Sequence, residues 1–199
     1  MESRKICILG DFAVGKTSLV HRFVRDQFSD KYLTTIGVKV DTKEVVLDDG
    51  RGLKLAIWDV AGTDTPTELF LRYTRGAAGY LLVADGTRAE TLNCCVALRD
   101  AVATSVRPLP YVVLVNKSDL ADQREVEAAD ARGLLDDALG WLDSSALRGD
   151  NVESAFRLLV TGMLDQAARA RSNADSDGVQ PDGAQSDGTR SNRGPGATA

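Results

Sequence analysis

GDFAVGKTSL, residues 10–19, is the stretch that decides the fold of this chain. It fits the pattern G-x-x-x-x-G-K-[ST] at Gly10, Gly15, Lys16 and Thr17. KICILG (5–10), which leads into it, is a short apolar run suited to a buried strand. KTSLVHRFV (16–24), which follows, has helical periodicity, with Leu19, Val20 and Phe23 on one face. A glycine loop between a strand and a helix turns backbone N–H groups and the helix N-terminus toward an anion. Ala13, Val14, Gly15, Lys16, Thr17 and Ser18 are therefore candidates to cradle phosphates. Lys16 would reach the β- and γ-phosphates of a nucleoside triphosphate, and the Thr17 hydroxyl would meet Mg²⁺. Phe12, a bulky apolar ring at a free position of the loop, is the odd element.

The rest of the chain bounds what such a loop can serve. At 199 residues with 43% hydrophobic composition, it suits one globular domain. The 24 basic residues against 29 acidic ones, net −5, form no basic stripe and argue against nucleic acid as a partner. Cys7, Cys94 and Cys95 are odd in number, a poor disulfide framework, so a reducing compartment, the cytoplasm, is expected. MESRKICILG is too short an apolar run for a signal peptide, and no stretch approaches the roughly 20 apolar residues that span a bilayer. No cysteine follows Cys95 and residue 2 is Glu2, so no intrinsic lipid anchor is expected, and membrane association would go through a partner.

Strand-like and helix-like segments alternate to about residue 170. GVKVDTKEVVL (37–47) alternates like a half-exposed strand, DDGRG (48–52) is a hairpin turn, and LKLAIWDV (53–60) is its partner. GYLLVADG (79–86), YVVLVNKSD (111–119) and WLDSSA (141–146) read as further strands. Helices are expected from Glu90 to Ala103, over 124–139, and over 151–170, the last with Asp150 as N-cap and Glu153 three residues on. The pattern predicts an α/β fold: a six-stranded, mostly parallel sheet with one antiparallel edge strand and helices on both faces. Residues 1–170 are expected to form the domain. Residues 171–199, rich in Asp, Gly, Ser and Asn, are expected to form a disordered tail.

Three further motifs fall at strand ends. In WDVAG, Asp59 can hold a Mg²⁺ shell, usually through water, and Gly62 lets backbone approach a γ-phosphate. NKSD supplies Asn116, Lys117 and Asp119. The Asp119 carboxylate can accept two hydrogen bonds from guanine, whereas adenine would leave it unsatisfied. In SSA, Ser144 to Ala146, a backbone N–H can donate to guanine O6.

With these four motifs in this order, the chain resembles a small GTPase of the Ras superfamily, a P-loop G domain nearest the Rab branch. The resemblance covers about residues 4–168 and is carried by GDFAVGKTSL, YLTTIGV (32–38), WDVAGTDTP (58–66), RYTRGAAGYLLVADGT (72–87), LVNKSDL (114–120) and SSALRGDNVESAF (144–156). It implies GTP and GDP as ligands with Mg²⁺, and effector, exchange-factor and activator partners. It implies that Thr35 is the switch I threonine, joining Mg²⁺ only when a γ-phosphate is present, that Phe28 lies against guanine, and that Tyr32 lids the phosphates. Ser145, Ala146 and Leu147 fall in the base loop, and residues 63–75 correspond to switch II. Order and disorder of the two switches is how such proteins signal. The absent lipid site, with the Ala-, Arg-, Asp- and Gly-rich composition, points to a prokaryotic Rab-like member.

Three positions depart from the family. Thr63 stands where a glutamine usually orients the attacking water, and its side chain is too short for that role. Phe12 occupies a position that is usually small, and Leu147 stands where lysine is usual. The expected function is a molecular switch that hydrolyses GTP slowly. The alternative is a constitutively GTP-bound binding module with negligible hydrolysis. A translation or ribosome-assembly GTPase is disfavoured by the acidic balance and the lack of an RNA-binding domain. His21 is expected at the surface, Cys94 and Cys95 in helix packing, and Trp58 and Trp141 in core strands, with Trp58 flanking switch II.

Overall fold

Pairs of alternating apolar residues in the first strand divide the core of this protein into two halves. In the computed structural model, which describes residues 2–28 and 35–177, β1 (Glu2–Gly10) lies inside a six-stranded sheet. Successive side chains of a strand point to opposite faces. Ile6 and Ile8 therefore join one cluster, with Leu19, Phe23, Leu55, Phe156 and Leu159. Cys7 and Leu9 join the other, with Phe70, Leu82, Leu98 and Val113.

The strands are β2 (Val38–Val46), β3 (Gly52–Val60), β4 (Gly79–Asp85), β5 (Tyr111–Asn116) and β6 (Trp141–Asp143), arranged β2-β3-β1-β4-β5-β6. Only β2 runs antiparallel to its neighbour; the other pairings are parallel. The sequence expectation of one antiparallel edge strand on a parallel sheet is met. β4 and β5 are buried at every position, as strands covered on both faces must be. β2 alternates half-buried and exposed residues, the mark of an edge.

Among the described residues, five helices, α1 (Lys16–Arg25), α2 (Glu68–Thr74), α3 (Glu90–Ser105), α4 (Ala128–Leu134) and α5 (Val152–Asp177), surround the sheet, with one 3-10 turn at Ala121–Gln123. Phe23 of α1 and Phe156 of α5 stack with ring centroids 3.6 Å apart and planes 1° from parallel. No helix among the described residues is long and apolar enough to cross a membrane.

Four local expectations are corrected. The helix expected over 124–139 covers only Ala128–Leu134. Before it, the N–H groups of Glu125 and Val126 both donate to the Gly86 carbonyl; after it, Leu139 N–H donates to Tyr111 in β5. Tertiary hydrogen bonds thus draw both flanks out of helical geometry, and the Glu127–Asp130 capping box marks the start that remains. The strand expected over 141–146 ends at Asp143. Asp150 does not immediately precede α5; Asn151 does, at φ 56°, with its side chain donating to the Asp143 carbonyl at 2.7 Å. The helix also runs to Asp177, seven residues past the expected boundary at 170, and residues 178–199 lie outside the described residues.

Candidate functional site

β1 has β3 on one side and β4 on the other, and the chain leaves the sheet at its end through the loop 10–15. Crevices at such points, beyond the carboxyl ends of parallel strands, are where open α/β sheets bind ligands. Close contacts account for both glycines of the loop. A Cβ on Gly10 would come 2.3 Å from the Val83 carbonyl oxygen, and one on Gly15 would come 2.3 Å from Asn116 Nδ2. Ala13 sits at φ 62°.

Lys16 is buried and its ammonium donates to the carbonyls of Gly10, at 3.1 Å, and Asp11, at 2.7 Å. Burial pulls this ammonium down to about 8, against the opposing pull of Asp59 and Asp11. Thr17 Oγ1 lies 2.6 Å from Asp59 Oδ2 and 2.8 Å from Thr35 Oγ1. Thr17, Thr35 and Asp59, 42 residues apart from first to last, thus meet in one cluster of oxygens. Burial raises the Asp59 carboxyl, and the Thr17 hydrogen bond and Lys16 oppose the rise. Asp59 Oδ1 is buried without a hydrogen-bond partner. An orphaned carboxylate oxygen beside two hydroxyls suits a hard cation that takes oxygen ligands, such as Mg²⁺. No group of three or more His, Cys, Asp or Glu side chains forms a separate metal cluster among the described residues.

Asn116 laces the base-side motifs to the phosphate loop. Its Nδ2 donates to the Val14 carbonyl at 2.8 Å, and its Oδ1 accepts from Ala146 N–H at 3.1 Å. Asp119 Oδ1 accepts from Ser145 Oγ at 2.5 Å, so the carboxylate is oriented by the loop expected to meet the same base. Lys117, at φ 67°, extends its ammonium to Asp85 Oδ2 at 2.6 Å. Leu147 is exposed and offers its carbonyl to Arg22 at 2.6 Å, so this position works through its backbone. Ser18 follows Thr17 in the first turn of α1, half-buried. Phe28 is exposed at the edge of the described segment, and Tyr32 lies outside the described residues.

Two of the three departures, Phe12 and Thr63, lie on loops that pack together. A Cβ on Gly62 would come 2.5 Å from Phe12 Cα, so the loop after β3 packs directly on the phosphate loop's backbone. Phe12 itself keeps 49% of its surface exposed. Thr63 turns inward on its own loop: its hydroxyl donates to the Thr65 carbonyl and accepts from Thr65 N–H. Its carbonyl accepts from the Cys94 thiol at 3.1 Å, and its N–H donates to Gly10 at 3.4 Å. Trp58 flanks α2 through Tyr73, with ring centroids 6.4 Å apart. His21 is half-buried and its Nε2 lies 2.7 Å from Lys39 Nζ.

Sequence motifs single out none of Arg22, Asp85 and Arg88, and give Cys94 only a place in helix packing. Arg22 holds the carbonyls of Ala146 and Leu147, at 3.0 and 2.6 Å. Asp85 is buried at the end of β4. Burial alone would raise its carboxyl, but hydrogen bonds from Lys117 and Thr87 outweigh this and hold it below the usual range. The signal available in sequence was position: Asp85 and Arg88 fall at a strand's carboxyl end, beside the crevice.

Known proteins resemble this chain over nearly its whole domain. The model of the Ras family matches residues 5–165. Ras-related protein RABA4b of Arabidopsis thaliana is 35% identical over 179 residues, 89% of this chain and 80% of that protein. Ypt/Rab-type GTPase YPT7 of Saccharomyces cerevisiae is 33% identical over 186 residues, 89% of this chain and 87% of that protein. Ras-related protein Rab-25 of Bos taurus is 36% identical over 171 residues, 85% and 80% of the two chains.

Proposed function

This chain belongs to the Ras family, as a Rab-like small GTPase, and from that premise we propose that it is a GTP-driven switch whose own hydrolytic step is slow. GTP binding and GTP hydrolysis are activities of the family. The slow step is particular to this chain, and the observation that carries it is Thr63. Both its hydroxyl and its carbonyl are engaged within the protein, by Thr65 and Cys94. A threonine side chain so engaged is too short to orient a water attacking a γ-phosphate. Gly62 packs on the Phe12 backbone, and the half-exposed Phe12 ring would hinder the approach of an activator's arginine.

Backbone donors from Ala13 to Ser18 would bind the phosphates, with the Lys16 ammonium transferring from the Gly10 and Asp11 carbonyls to phosphate oxygens. Asp119, held by Ser145, would accept from guanine, with Lys117 and Phe28 along the base and the Ala146 region at O6. Thr17 and Asp59 would hold Mg²⁺, and Thr35 would join them with a triphosphate; the ion supplies charge neutralisation at the phosphates. The orphaned Asp59 Oδ1 supports this donor set.

Output would pass through the two switch segments to effectors. Ile36, 92% exposed, and Leu69, 52% exposed, are apolar residues on those segments, which supports a protein partner there. An exchange factor and an activator would complete the cycle. A second reading, a module that holds GTP permanently, is favoured by the same engagement of Thr63.

Single-turnover hydrolysis of bound GTP tests the proposal. Wild type should turn over slowly, and Thr63→Gln or Phe12→Gly should raise the rate at least about ten-fold, about 1.4 kcal/mol of barrier. A wild-type rate typical of small GTPases, unchanged by Thr63→Gln, would sink it. Wild-type turnover too slow to detect, in either variant as well, would favour the permanently loaded module.

A further inference from the structure

Ala13 stands at φ 62° in the phosphate loop. A residue with a side chain adopts this left-handed conformation only where its surroundings over-determine it. The preceding peptide is held from outside the loop by Arg88, in the turn after β4. Arg88 Nη2 donates to the Phe12 carbonyl at 2.7 Å. Its Nε donates to Asp85 Oδ2 at 3.2 Å, and its Nη1 lies 3.8 Å from Asp11 Oδ2 and 3.9 Å from Glu90 Oε1. Asp85 is itself fixed, with 1% of its side chain exposed: Lys117 Nζ donates to Oδ2 at 2.6 Å, and the Thr87 N–H and hydroxyl donate to Oδ1 at 3.0 and 2.7 Å. The planar guanidinium thus spans a buried carboxylate and a loop carbonyl, a fork geometry that an ammonium cannot reproduce.

The described peptide bonds include no cis bond. In a trans peptide the C=O and N–H point in opposite directions. A Phe12 carbonyl held on Arg88 therefore turns the Ala13 N–H away from Arg88, to the other side of the loop. We infer that Arg88 is a positioning residue that locks the 12–13 peptide so that the Ala13 N–H faces the diphosphate of a bound guanine nucleotide. Through Asp85 the same guanidinium is tied to Lys117, so one clamp serves both the phosphate end and the base end of the site. This rests on the guanine-nucleotide reading above.

The test uses the full chain loaded with fluorescent GDP in Mg²⁺ buffer and chased with unlabelled GDP. Arg88→Ala should release GDP about ten-fold faster, the worth of one charge-assisted hydrogen bond. Its bound GDP should show a shifted β-phosphorus resonance, which a purely structural loss would not select. Arg88→Lys should be intermediate, because lysine keeps the charge near Asp85 and loses the second donor edge. Ala13→Gly placed in the Arg88→Ala background should bring release back toward wild type, because glycine enters positive φ without strain. Unchanged release in a folded Arg88→Ala, or faster release untouched by Ala13→Gly, would overturn the inference. If Arg88→Ala does not fold, Arg88→Lys decides by the same two readouts. A wild type that binds no guanine nucleotide would overturn the functional reading as well; a binding wild type with an indifferent Arg88 overturns this inference alone.

Discussion

The Cys94 thiol on α3 donates to the carbonyl of Thr63, 31 residues away and 3.1 Å distant. It ties the loop after β3 to a helix that packs on β1, β4 and α2. Cys94 is also a buried residue of the core, but removing the donor should loosen that loop more than the sheet. In Cys94→Ala, amides of 63–67 should exchange with solvent faster, while those of β4 and β5 keep their protection. Hydrogen exchange read by mass spectrometry checks this. Uniform acceleration across the sheet would assign Cys94 to core packing alone.

Base selection should follow the carboxylate at Asp119. Asp119→Asn exchanges an acceptor for a donor at one oxygen position. The variant should lose about two orders of magnitude in GTP affinity, two charge-assisted hydrogen bonds' worth, and gain affinity for xanthosine triphosphate. Competition binding with the two nucleotides measures it.

Trp58 sits where it can report on switch II, with Lys5 Nζ 3.6 Å from its ring and Tyr73 of α2 on its flank. Emission should change when GDP is exchanged for GTP. The change should vanish in Trp58→Phe and persist in Trp141→Phe, since Trp141 lies in β6 with its indole N–H bound to the Leu135 carbonyl.

The thiols predict an alkaline limit to stability. Burial pushes the Cys94 thiol up to about 11 and the Cys7 thiol up to about 12, and raises Cys95 as well, from an ordinary 9.0. Above pH 9 the unfolded chain loses these protons while the folded chain keeps them, so stability is full below about 9 and falls as pH rises toward the folded values. Denaturant midpoints should therefore decline between pH 9 and 11. At pH 8 a thiol reagent should modify the native protein slowly and all three cysteines rapidly in denaturant.

The expected departure at Thr63 was visible as a residue type, and its consequence took coordinates to see. A threonine in this loop is legible as too short for a water-positioning role. That its hydroxyl turns back to Thr65, and its carbonyl to Cys94, depends on how α3 packs. The 124–139 segment teaches the same lesson. Its composition favours helix, yet Glu125, Val126 and Leu139 give their N–H groups to Gly86 and Tyr111 instead.

The alternation of strands and helices, the glycine loop and the order of the four motifs are legible in the chain alone. Each of these is set by contiguous residues, through apolar periodicity, turn chemistry and short-range backbone geometry. Only the tertiary structure decided that Arg88 holds the Phe12 carbonyl across 76 residues, that Arg22 holds the base loop from α1, and that Thr17, Thr35 and Asp59 share one cluster of oxygens. Those contacts join side chains on different elements. Their direction follows from strand order and helix packing, which no local stretch of the chain encodes.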